Sequence, residues 1–410
     1  MKVLKTDNTE YIFADKQLVD DSDVSVTNYG RLLENMSDDY PANYTAFDLG
    51  STRIIEVRTS NSEIVGLAGT NAYDIESYIG EGTIHDVNDV VTDGTFQNWT
   101  GGVPDDWTVE ANADVSEGTE SVSIGGYAYT KYLRMVDPNT SSDIAVKQTM
   151  AVSSNQKYIL TLIGPQQETP SNKFSIYDET NGSYIKSNQS IGSPYYPGLS
   201  SAIPDATYYE IFTTPSNCVS ITLRLWVIDY VNSRFDFRGV SIRPVTQQTT
   251  VTIDNDGGVF SDEDFNTIPI EYTKVVGDHS IFLDATASSS PVKVGCLQTG
   301  LLTEYLDPKQ GMRQGLRFDS VLTDLKYGGR LIDTKYNKDV FQGSITLSEA
   351  DANDFMYSLV PTIRRSPRFW ILGDISEQYW SVFAKFDTLP VASKNNNITD
   401  TITVNLVEAI

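Results

Sequence analysis

Few residues in this 410-residue sequence are of the types that carry covalent chemistry. There are two histidines, His85 in "TIHDVND" and His279 in "VVGDHSIF", and neither has a second histidine at metal-ligand spacing. No Gly-x-Ser-x-Gly elbow, HExxH helix, P-loop or dinucleotide fingerprint occurs. Carboxylate pairs are everywhere, because 55 of the residues are Asp or Glu, so no pair singles itself out as a glycosidase acid and base. Cys218 and Cys296 are far apart and read as two buried thiols, without disulfide or metal spacing. Both histidines read as structural. The residues point to binding, and the protein is not expected to be an enzyme.

What the sequence has in quantity is aromatic surface chemistry. Sugars present weakly positive C–H faces that stack on the negative face of a Tyr or Trp ring, while amides, carboxylates and guanidinium groups bond the hydroxyls. Candidates are Tyr127 and Tyr129 in "YAYTKY", Tyr195 and Tyr196 in "SPYYPG", and Trp226 and Tyr230 in "LWVIDYVNSR". "DGTFQNWTGGVPDDWTVE" holds two tryptophans. Trp107 reads as core. Trp99, in a Gly-rich turn, fits equally an end cap and an exposed platform.

The elements that position these residues are strands. Short apolar or alternating runs such as "KYILTLIG", "NKFSIYDE", "SITLRLWVID", "FDFRGVSIRP" and "HSIFLDA" are separated by Gly, Asn, Asp and Ser turns, which predicts antiparallel sandwiches and not βαβ units. One helix stands out in "GSITLSEADANDFMYSLVPTIRR". Ser348 is its N-cap, Asp351 bonds back to it, Ala352, Phe355, Met356 and Leu359 form one apolar face, and Pro361 is expected to stop it. Candidate boundaries lie near 90, near 246 in "RPVTQQTTVT", and around 302 to 315. The expected fold is mainly β: antiparallel jelly-roll sandwiches, one inserted in another, plus a small C-terminal α+β unit.

Composition limits the partners. Thirty basic against 55 acidic residues give a net charge of −25, which repels nucleic acid and anionic membrane surfaces. No window approaches the roughly 18 apolar residues of a membrane span, and "MKVLKTDNTEYIF" lacks the apolar centre of a signal peptide. The expectation is a protein made in a cytoplasm, with neither nucleic acid nor membrane insertion in its function.

Three resemblances refine this. The stretch from "VTDGTFQNWTGGVPDDWTVE" through "GGYAYTKYLRMV" to "FDFRGVSIRPV" resembles carbohydrate-binding modules of the family 4, 9 and 22 kind. That resemblance implies a jelly roll over 92–246; no cofactor is required, although modules of this type often hold a structural Ca²⁺ between their first and last strands, for which Asp93 and Asp236 are the matching positions. "YPANYTAFDLGSTRIIEVRTS" and "PVKVGCLQTG" resemble two strands of a discoidin-like sandwich, which would then comprise 1–91 and 247–302. The arrangement of 303–410, with its "LSEAD" helix between strands, is similar to the docking domain of minor tail and tail-tip proteins of tailed bacteriophages. Together these imply a virion component of a tail tip or baseplate. Its partners would be other tail proteins, copies of itself and host surface polysaccharide. Two alternatives stay open: a purely architectural virion protein whose insert is a spacer, and a polysaccharide depolymerase or glycoside hydrolase.

Overall fold

A computed structural model describes residues 2–14, 18–19, 45–47, 54–82, 84–110, 114–124, 127–136, 144–163, 166–167, 172–190, 207–227, 234–252, 266–287, 292–305, 313–324, 330–363, 366–371, 381–394 and 399–408. The fold is mainly β, and every strand pairing within its sheets is antiparallel. Each run quoted above contains a strand, and "FDFRGVSIRP" spans two, Arg234–Phe237 and Gly239–Thr252, with a bend at Arg238.

Alternation along the strands creates three large apolar cores. In Ser220–Val227 the side chains of Ile221, Leu223 and Leu225 point inward. Opposite them, Tyr158, Leu160 and Leu162 of Lys157–Ile163 and Val240 and Ile242 of Gly239–Thr252 close the sandwich. The inward faces of Ile54–Thr70, Ala72–Glu81 and Asn266–Ala287 form a second core, with Val57, Leu67, Ile79 and Ile281. The third lies between the C-terminal strands and the helix, around Phe355, Trp370 and Leu406.

The strand Gly239–Thr252 belongs to two of these layers. Its residues 239–244 pair with Lys157–Ile163, and its residues from Val245 onward pair with Ala72–Glu81. The boundary expected near 246 therefore falls in the middle of a strand. The polar letters of "TQQTTVT" reflect alternation on a half-exposed strand, a pattern that reads like a linker in sequence.

The junction is fastened by buried charge. Glu56 is fully buried and accepts hydrogen bonds from Arg243 (3.2 Å), Ser280 (2.7 Å), Tyr209 (2.8 Å) and Arg58 (3.3 Å). Burial alone would raise its pKa, but the two guanidinium groups and these hydrogen bonds hold it at about 2.

The C-terminal helix is capped as expected: Ser348 Oγ accepts from the Asp351 backbone N–H at 3.2 Å and donates to the Asp351 carboxylate at 2.7 Å. Its end is different. Pro361 does not stop it; α-helical Glu349–Asp354 passes into a π-turn, Phe355–Leu359, and then into Val360–Ile363. The Val360 N–H reaches back five residues to the Phe355 carbonyl. Widening the turn just ahead of the proline makes room for a ring that a regular helix would reject.

Candidate functional site

Most of the aromatic residues with platform chemistry are structural. Tyr129 is buried, its hydroxyl 3.3 Å from His85 Nε2 and its ring edge-on to that imidazole, so it is no sugar platform. The backbone explains why: Gly239 leaves a gap that Tyr129 and His85 fill together. Trp99 is half-buried against the first core and donates its indole N–H to the Phe96 carbonyl of its own turn (2.7 Å). It is an end cap. Trp107 is core, packed on Phe96 with ring centroids 5.3 Å apart. Tyr127 begins the strand Tyr127–Val136, opposite Ile124, and its side chain lies outside the described residues, as do Tyr195, Tyr196 and Tyr230.

The two aspartates of the implied calcium site have separate partners. The Asp93 carboxylate accepts from the backbone N–H groups of Gln97 (3.1 Å) and Asn98 (3.3 Å), closing a turn in which Asp93 itself has φ +47°. Burial nonetheless pushes its pKa up, offset in part by those bonds. Asp236 is buried and ion-paired with Arg134 at 3.0 Å. Among the described residues no three His, Cys, Asp or Glu side chains gather as a metal site. His279 is also structural: Ser62 Oγ lies 2.7 Å from its Nε2, and burial lowers its pKa.

Trp226 stands apart because of the side of the sheet it occupies. Ile221, Leu223 and Leu225 face the core, so Thr222, Arg224 and Trp226 project from the opposite face. That face belongs to a five-stranded sheet ordered Ser183–Ser190, Asn172–Asp178, Ser220–Val227, Ile144–Ala151, Thr108–Val109. The register lays Thr149, Lys147 and Ala145 beside Thr222, Arg224 and Trp226 on one flank, and Tyr177, Ser175 and Lys173 on the other.

The result is a polar stripe with aromatic groups at both ends. At one end the Arg224 guanidinium lies 4.9 Å and the Lys173 ammonium 5.6 Å from the Trp226 ring. The Trp226 indole N–H is buried and has no hydrogen-bond acceptor among the described residues. In the middle, Glu110 holds Arg224 at 2.7 Å and Lys147 at 3.2 Å, which together lower its pKa against the opposing effect of burial. Thr149 and Thr222 share a hydrogen bond at 2.6 Å, and Thr222 donates to Glu179 at 2.5 Å. At the far end Tyr177 and Tyr184 meet edge to face, centroids 5.0 Å apart, with Tyr184 57% exposed. Four residues of strand separate the two ends, about 13 Å at ordinary strand rise.

Arg224, Lys173, Tyr177 and Tyr184 are functional candidates that reading the sequence for aromatic density passed over. Their signal was present: Tyr177 and Tyr184 flank the "DETNGS" hairpin turn symmetrically, and "TLRLW" alternates with period two.

Neither a protein-family model nor a curated protein sequence matches the chain. Three similar solved structures give the scale of resemblance. The enzymatically active domain of tailspike protein 4 of bacteriophage CBA120 is 13% identical over 38% of this chain, with a TM-score of 0.30; the match spans 22% of that domain. A family 16 carbohydrate-binding module is 17% identical over 37% of this chain and 98% of its own, with a TM-score of 0.27. The xylan-binding CBM22-1 domain of Paenibacillus barcinonensis Xyn10C is 14% identical over 40% of this chain and 99% of its own, with a TM-score of 0.26.

Proposed function

We propose that the outer face of the five-stranded sheet is a glycan-reading surface, carried by a structural component of a phage tail tip or baseplate. The observation that carries the glycan reading is Trp226: a large indole on the side of the sheet away from the core, with two cations against its ring and an N–H that has no acceptor among the described residues. A saccharide hydroxyl accepts that N–H, and Lys173, which has no ion-pair partner among the described residues, swings aside to admit it. Thr149, Thr222, Arg224 and Glu110 supply donors and acceptors along the stripe, and Tyr184 offers a second ring. No bond of the glycan is broken. Single-site affinity is weak, and several copies around a tail raise it through effective concentration.

The tail assignment rests on the "LSEAD" helix between C-terminal strands and on the two resemblances of the flanking segments. In this reading 1–91 with 247–302 forms the discontinuous sandwich, 92–246 the inserted module and 303–410 the docking unit, in contact with other tail proteins and with copies of the chain. The module keeps a structural Ca²⁺ only if Asp93 or Asp236 exchanges its present partners.

A second reading, an architectural spacer, is favoured by the burial of Trp226 to 6% exposure and of Tyr129 to 1%.

The test is to present the full chain to an array of bacterial surface polysaccharides and then to whole host cells. Saturable capture, abolished by the same polysaccharide free in solution, supports glycan reading; capture of none, even when the chain is multimerised, supports the spacer.

A further inference from the structure

The flanking strands build a second site, independent of the glycan-reading face. A cleft of about 500 Å³ opens beside Lys2–Asp7, the middle of Ile54–Thr70, the bulged part of Asn266–Ala287 and the end of Cys296–Glu304. Its polar lining is Lys5, Lys274, Asn8, Asn61 and Thr303, with Val276, Leu301 and Leu302 as apolar wall. In a chain with a net charge of −25, the charged side chains lining this cleft are both lysines.

The polar residues stand here because the strand ladders are broken around them. Leu4 pairs with Leu302 and Thr6 with Leu301, so Lys5 between them has no partner across the sheet. Glu271 pairs with Ile64, Val275 with Ser62 and Asp278 with Ser60, which pushes 272–274 and 276–277 out of register and Lys274 with them. Asn61 adopts φ +52° and Gly277 φ +91°. Side-chain bonds lock the arrangement: Asn61 Oδ1 accepts from the Gly277 N–H (3.1 Å), and Asn8 Nδ2 donates to the carbonyls of Ser60 and Asn61 (3.0 Å each). Bulges give up ladder hydrogen bonds and re-aim side chains, and they gather beside binding sites. Here bulges in two strands place two lysines on the lining of one cleft.

We propose that this cleft binds an acidic saccharide through the carboxylate of a uronic acid ring. Lys274 has no ion-pair partner among the described residues, and Lys5 is held by a single half-exposed contact with Asp354 at 3.2 Å. A carboxylate takes its place against the two lysines, Asn8 Oδ1 and Asn61 Nδ2, the amide atoms not used in locking the backbone, meet the ring hydroxyls, and Val276, 76% exposed, lies against the C–H face with Leu301. The volume suits a short saccharide, since ligand clefts run from about 300 to 1,000 Å³. The acidity of the whole chain repels densely charged polyanions at long range, which favours a sparsely charged sugar over a polyphosphate.

The experiment is calorimetric titration of the full chain with trigalacturonate, the neutral galactose trimer and inorganic phosphate, repeated with Lys274→Glu and Tyr184→Ala. Lys274 is exposed, and thermal unfolding verifies that its variant is folded. The expected result is saturable binding of trigalacturonate alone, weakened about tenfold or more by Lys274→Glu, unchanged by Tyr184→Ala and reduced by salt. Absence of trigalacturonate binding, equal binding by Lys274→Glu, equal binding of the neutral trimer, or phosphate bound in its place would each overturn the proposal. Loss through Tyr184→Ala instead would move the uronate to the five-stranded sheet, overturning this site while leaving the glycan-reading face intact.

Discussion

At the scale of residues, the same side-chain types serve opposite purposes depending on which side of a strand they occupy. Tyr209 and Tyr184 illustrate it: one is sealed with its hydroxyl on Glu56, the other stands 57% exposed at the end of the polar stripe. Replacing Glu56 by Gln leaves Arg58 and Arg243 buried without their anion, and urea unfolding is expected to show a loss of about 3–5 kcal/mol. The acid limb of stability carries the same group. Its folded pKa of about 2 lies below the ordinary carboxylate value, so its contribution is complete at neutral pH and is lost as pH falls from about 4.5 towards 2. Tyr184→Ala makes the contrasting prediction: stability within about 0.5 kcal/mol of wild type, as for other exposed positions, with glycan binding weakened. Sequence reading located the aromatic wealth of 92–246 and placed Trp107 in the core, but it did not give the orientation of Tyr129 or decide that of Trp99. Tyr129, Trp99 and Trp107 are committed inward by partners such as His85, Phe96 and Asp93 that come together only in the fold.

At the scale of elements, two features decide how strands and layers meet. Ile64, Gly66 and Ala68 face the C-terminal unit while Val65 and Leu67 face their own core. A Cβ at Gly66 would sit 2.6 Å from the Phe369 ring, so Gly66→Ala is expected to displace that ring and to cost about 1–3 kcal/mol in unfolding experiments. Asp284 and Glu76 are direct cross-strand neighbours, an arrangement of like charges that destabilises a ladder. Burial, with Glu76 and Asp74, pushes the Asp284 pKa up to about 6. A raised carboxylate pKa favours the protonated folded form, so stability from this group is greatest at low pH and is lost as pH rises through about 6. Asp284→Asn is therefore expected to raise the melting temperature at pH 8 and to change it little at pH 4. The strands were legible in sequence because period-two alternation is local. The passage of the helix through Pro361 was not, because it depends on a π-turn held by packing of Phe355 and Leu359 in the third core.

At the scale of the whole molecule, the strand Gly239–Thr252 and the Glu56 network join the sandwich of the middle segment to the flanking sheet without an intervening linker. The five-stranded sheet's sandwich and the flanking sheet are then mechanically continuous, as the proposed role of a ligand-reading face held in a fixed orientation requires. Hydrogen exchange is expected to protect the Gly239–Thr252 amides on both sides of residue 246 to a similar degree; strongly unequal protection would indicate two loosely tethered units. The central claim concerns the outer face of the five-stranded sheet. Its most direct test is titration of the full chain and of Tyr184→Ala and Arg224→Gln with purified bacterial surface polysaccharide, followed by Trp fluorescence. Saturable binding by the wild type with a change in tryptophan emission, weakened in both folded variants, is the predicted result. Binding that neither variant weakens, or no binding by the wild type, would contradict a glycan-reading face there.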